Sequence, residues 1–98
     1  FNDAIKYYNK AIEINPQYET SYNNIGIALY AQGKLDDAIK YINKAIEITP
    51  NNESTYVDLG LILKEKGEKV KARQAFEKAL SLKPDDKTAK SELDKLGK

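Results

Sequence analysis

Three prolines, Pro16, Pro50 and Pro84, stand 34 residues apart in a chain of 98, and the sequence between them repeats with them. Residues 1–18 laid over 35–52 agree at 12 of 18 positions, so that AIKYYNKAIEINP at 4–16 is almost a copy of AIKYINKAIEITP at 38–50. The following unit repeats more loosely, through Tyr22/Tyr56, Gly26/Gly60, Gly33/Gly67, Ala38/Ala72, Ala45/Ala79 and Pro50/Pro84. A fixed period of this length marks a repeat array, in which one unit cannot bury its apolar face alone and must stack on its neighbours.

Within each unit the apolar residues recur at steps of three and four. Tyr22, Ile25, Gly26 and Leu29 form one face of a helix, and Gly33 ends it because glycine tolerates the left-handed conformation. Leu35, Ala38, Ile39, Ile42, Ala45 and Ile46 form a second face. Pro50 stops that helix, since the residue before a proline is pushed out of the helical region. Asp36 and Asp37 fall in its first turn, where negative charge suits the helix dipole; as neighbours at i and i+1 they do not face each other for catalysis. Gly26 and Ala38 lie mid-face on their helices, as do Gly60 and Ala72, which predicts close contact within an antiparallel pair. Glycine inside a helix costs about 1 kcal/mol against alanine, and close packing is the compensation.

Composition removes several function classes. Lys plus Arg number 16 against 15 for Asp plus Glu, a net charge of +1, without the basic excess that nucleic acid attracts. There is no Cys, hence no disulfide or thiolate metal site, and no His, hence neither the commonest general base nor the commonest metal ligand. No run of about 18 apolar residues offers a membrane span. No Gly-rich phosphate loop is present; Gly26, Gly33, Gly60 and Gly67 follow the structural repeat instead. The expectation is a non-enzymatic protein without metal or cofactor that binds neither nucleic acid nor membrane, with a cytoplasmic location.

The pattern Tyr22-x-x-Ile25-Gly26-x-x-Leu29, then Ala38-x-x-x-Ile42, Ala45 and Pro50, resembles the tetratricopeptide repeat. Tyr56-x-x-Leu59-Gly60-x-x-Leu63, Ala72-x-x-x-Phe76, Ala79 and Pro84 match it again, and residues 1–16 fit its second half through Ala4, Tyr8, Ala11 and Pro16. Leu29 and Leu63 stand where the family usually has Tyr, and Ile42 where it has an aromatic, but each site stays apolar. The resemblance implies an all-α, right-handed solenoid of antiparallel helix pairs: half a repeat at 1–18, full repeats at 19–52 and 53–86, and a capping helix in 87–98. In the cap, Ala89, Leu93 and Leu96 are the expected buried stripe and Asp85 or Asp86 the N-cap. Asp94 occupies the place of the repeat glycine, which argues against a further partner helix. The chain reads as a piece of a longer protein.

The resemblance also implies a function. In the family the first helices line a concave surface on which extended peptides or helical segments of other proteins bind. Carried over by register, the contact positions are Thr20, Asn23, Asn24, Ile27 and Tyr30 from one repeat. The next contributes Ser54, Val57, Asp58, Leu61, Lys64 and Glu65. Asn amides both donate to and accept from a peptide backbone, and Ile27, Val57 and Leu61 are apolar without belonging to the stripe that packs each pair. Tyr30 offers an aromatic body with a polar tip, whereas Tyr41, equivalent to Tyr7, falls on the outer side of its helix.

Members that clamp the acidic tails of heat-shock chaperones place Lys and Asn, then Asn, then Lys and Arg on successive first helices. Asn24 matches the middle Asn, but Ser54 and Asp58 stand where the cations belong, the alternative register puts Asp58 at the Asn, and an Asp aimed at a carboxylate repels it. Acidic chaperone tails are therefore not expected to bind; a neutral, apolar or mildly basic segment is. The alternative role is self-assembly, in which Phe1, Ala4, Ile5 and Tyr8, a second-helix face lacking its first helix, meet another copy or an upstream repeat. The basic run at 64–73 alternates with Glu and reads as a solvated face. Asn52-Glu53-Ser54 is a glycosylation acceptor pattern that matters only in an exported protein.

Overall fold

A computed structural model describes the backbone of residues 19–96 and the side chains from Tyr22 onward. The described residues form five α-helices and no strand: α1 (Glu19–Ala31), α2 (Leu35–Ile48), α3 (Glu53–Lys66), α4 (Lys69–Leu82) and α5 (Lys87–Leu96). The chain divides into two compact units between Pro50 and Asn51.

In the N-terminal unit α1 packs on α2 as a helical hairpin. The turn between them follows from Gly33, whose φ of +80° is open to glycine but strained for other residues. Gly33 N–H donates to Tyr30 O and Lys34 N–H to Leu29 O, which satisfies the last carbonyls of α1. The buried face carries Tyr22, Ile25, Ala28 and Leu29 of α1 and Ala38, Ile42 and Ala45 of α2. Gly26 allows the approach: a Cβ there would lie 2.7 Å from Ile42 Cδ1 and 3.2 Å from Ala38 O. Tyr41 is half-buried rather than outward, because its ring reaches back to lie 6.3 Å from that of Tyr22.

In the C-terminal unit α4 packs on both α3 and α5. Gly67, at φ +91°, repeats the turn, with Gly67 N–H donating to Lys64 O and Glu68 N–H to Leu63 O. Asn52 caps α3 by accepting from Ser54 N–H at 3.1 Å. On the α4 side Ala72, Phe76 and Ala79 are fully buried and Ala75 nearly so. A Cβ on Gly60 would meet the Phe76 ring at 2.6 Å, so the glycine and the ring fit as a pair. Lys78 Nζ lies 6.0 Å from the centroid of the Tyr56 ring, a further tie between α3 and α4. Beyond the expected stripe, Ile62 and Thr55 are fully buried. Ile62 is 34 residues from the buried Ala28, a correspondence of small and large apolar residues.

Asp86 caps α5, its Oδ1 accepting from Ala89 N–H at 2.9 Å. The stripe of α5 differs from the sequence expectation. Ala89 is fully buried, but Leu93 and Leu96 are only half-buried, and Glu92 is buried in their stead. Arg73 of α4 donates to Leu96 O at 3.2 Å, so the far end of α5 is held as well.

Candidate peptide-binding faces

On α1 the expected contact residues form one stripe, since Asn23, Ile27 and Tyr30 succeed one another at i, i+4 and i+7, with Asn24 three residues before Ile27. Ile27 is 37% exposed, one of two large apolar side chains exposed among the described residues. Asn23, Asn24 and Tyr30 are half-buried. The Oδ1 of Asn23 is buried without a hydrogen-bond partner, the one such side-chain atom among the described residues. Buried polar atoms are almost always paired, and an orphaned acceptor costs about 1–3 kcal/mol. The side chain of Thr20 lies outside the described ones, as do Phe1, Ala4, Ile5 and Tyr8 of the expected oligomer interface.

The α3 stripe is equivalent in register but not in surface. Val57 is only 8% exposed and belongs to the core. Ser54 and Glu65 are exposed, while Asp58, Leu61 and Lys64 are half-buried. Ser54 Oγ donates to Glu53 Oε1 at 3.2 Å. Lys64 is engaged: its Nζ donates to Glu92 Oε2 of α5 at 2.7 Å. Glu92 also receives Lys95 Nζ on Oε1 at 3.5 Å. The Lys64 ammonium holds the Glu92 carboxyl below the usual carboxylate range; burial opposes this and Lys95 adds to it.

Glu92 escaped the sequence reading because a carboxylate in an amphipathic helix counts as solvent-facing. One signal was available: Asn24, Asp58 and Glu92 are spaced by 34, so Glu92 shares the register of the expected contact positions. Among the described residues no cluster of His, Cys, Asp or Glu is placed to hold a metal ion, and no helix is long and apolar enough to cross a membrane.

The tetratricopeptide repeat (TPR) family model matches residues 1–51 and 17–85. The chain belongs to that family. Its fold is the all-α helical-repeat solenoid, and as a TPR chain it is a protein–protein interaction scaffold of a family that is generally non-enzymatic. The TPR domain of Arabidopsis OM64 matches with a TM-score of 0.94 at 29% identity, over 98% of this chain and 79% of that one. The first TPR of Spaghetti (RPAP3), bound to the HSP90 peptide SRMEEVD, matches in fold with a TM-score of 0.94 at 23% identity, over 98% of this chain and 76% of that one. The second TPR domain of human RPAP3, in complex with the HSP70 peptide SGPTIEEVD, gives a TM-score of 0.90 at 26% identity, over 96% of this chain and 78% of that one. No curated protein matches the sequence significantly.

Proposed function

We propose that this TPR chain binds an extended or helical peptide segment of a partner protein, each unit offering its own candidate face: the stripe Asn23, Asn24, Ile27 and Tyr30 of α1 in the first, and the stripe Ser54, Asp58, Leu61, Lys64 and Glu65 of α3 in the second. The observation that carries the reading is the exposed apolar side chain of Ile27 on a stripe whose other members, Asn23, Asn24 and Tyr30, are polar-tipped and half-buried. An apolar side chain of the peptide covers Ile27, and the half-buried Asn24 amide both donates to and accepts from the peptide backbone. The complex of the second human RPAP3 TPR with a peptide supports the same use of the fold.

The guest is neutral, apolar or mildly basic. The α3 stripe carries two carboxylates, Asp58 and Glu65, and one cation, Lys64, which is already committed to Glu92. Carboxylates of an acidic tail meet like charge there. Fluorescence anisotropy with a basic peptide of apolar core and with SGPTIEEVD tests this. The basic peptide is expected to bind more tightly, and Asn24→Ala with Leu61→Glu to weaken it at least about tenfold, the equivalent of roughly 1.4 kcal/mol. Tighter binding of the acidic peptide by the unaltered protein overturns the assignment of guest.

A further inference from the structure

The ion pair between α3 and α5 joins a contact position of the binding stripe to a residue that is itself in contact register. Lys64 stands in the last turn of α3, and its side chain is 38% exposed, so its ammonium can be approached from solvent. Glu92 is more deeply placed, with its side chain 10% exposed, and both of its oxygens face ammonium groups, Oε2 that of Lys64 and Oε1 that of Lys95. A carboxylate held between two ammonium groups favours its charged form. Glu92 therefore offers Lys64 the same chemical group that an acidic peptide would bring, and it does so from within the chain. An intramolecular partner at 2.7 Å holds a large effective-concentration advantage over a diffusing one.

We infer that Glu92 is a specificity-determining residue that closes the α3 face to acidic peptides by occupying Lys64. The inference rests on the peptide-binding reading above and adds the pairing of Lys64 to the like charge of Asp58 and Glu65 as a cause of the exclusion of carboxylate-rich guests. An incoming carboxylate must displace a pair already made and then lie beside the displaced charge. The 34-residue register supports the assignment: the row Asn24, Asp58, Glu92 changes from a neutral amide to carboxylates toward the C-terminus.

The test is the affinity of SGPTIEEVD, measured by anisotropy, for the unaltered protein, Glu92→Gln and Glu92→Gln/Lys64→Gln. Gln keeps the shape of Glu92 and can still accept from Lys64 without the charge. Glu92→Gln is expected to bind the acidic peptide about fivefold more tightly, in keeping with one partly exposed charged hydrogen bond, and the gain is expected to shrink with added salt. The double variant is expected to lose that gain. A role in holding α5 alone would alter thermal stability, read by circular dichroism, but not raise affinity for an acid. If Glu92→Gln disturbs the fold, the reversed pair Lys64→Glu/Glu92→Lys retains the bridge and is expected to bind the acidic peptide as poorly as the unaltered protein; tighter binding refutes the inference.

An unchanged affinity in folded Glu92→Gln, or a gain that survives Lys64→Gln, also overturns the inference. If the basic peptide binds while Glu92→Gln gains nothing, the guest assignment stands and the role of Glu92 falls. If no basic peptide binds yet Glu92→Gln shows a Lys64-dependent gain, the role of Glu92 stands and the guest assignment falls.

Discussion

Replacing Gly60 by Ala should destabilise the protein even though alanine is the better helix former. The added Cβ would lie 2.6 Å from Phe76 Cε1, 2.7 Å from Cζ and 2.8 Å from Cδ1. Carbon atoms in favourable contact sit at about 3.5–4.0 Å, so the overlap is roughly 1 Å along one ring edge. Phe76 is fully buried between close neighbours and cannot swing into solvent. Overpacking of this kind costs about 1–3 kcal/mol, and contact with three ring atoms places this case near the upper end. Alanine returns about 1 kcal/mol in helix propensity. The net loss is about 2 kcal/mol, or a fall in Tm of roughly 8–16 °C for a domain of this size. Thermal melts by circular dichroism read it directly. Phe76→Leu in the same chain should recover part of the loss, with a coupling of at least about 0.5 kcal/mol in the double-mutant cycle. A Gly60→Ala protein that melts at or above the unaltered one refutes the reasoning, because propensity alone would then govern the site.

Two further outcomes concern α5. Because the folded state holds the Glu92 carboxyl below its ordinary value of 4.5, chiefly through the hydrogen bond from Lys64, the pair contributes stability above that value and loses it as the pH falls through the lower, folded one. Acidification should therefore raise amide exchange in α5, and Glu92→Gln should reduce that pH dependence; a pH dependence undiminished in the variant, after correction for the intrinsic rate, counts against it. Asp86→Ala deletes the acceptor for Ala89 N–H and should weaken the start of α5 by about 1 kcal/mol. Amide exchange through its first turn should quicken about fivefold, and an unchanged rate would show that the cap contributes nothing.

Much of the fold was legible because its causes are local and recur. Gly33 and Gly67 are needed where φ is positive, and the helices before Pro50 and Pro84 end at Ile48 and Leu82. The close approach at Gly26 and Gly60 was visible as a small residue in the middle of an apolar face, and the structure supplies what each meets, Ile42 in one unit and Phe76 in the other. Periodicity tells which face of a helix is apolar but not how far a neighbour's side chain reaches. Tyr41 illustrates this, since its ring returns to Tyr22 from a position that looks outward.

The candidate binding faces were less legible for the same reason. Val57 and Leu61 look alike in sequence as apolar residues off the packing stripe, yet one is core and the other half-exposed. Asn23 and Asn24 look alike as adjacent amides, and only Asn23 has a buried oxygen with no partner. Glu92 carries the point furthest: its significance depends on an ammonium 28 residues away in sequence. A charge on a helix can be read as solvated or as paired only once the opposite helix is in place. Repeats with the same register can thus share a backbone while the charge each presents depends on a pairing that no single repeat contains.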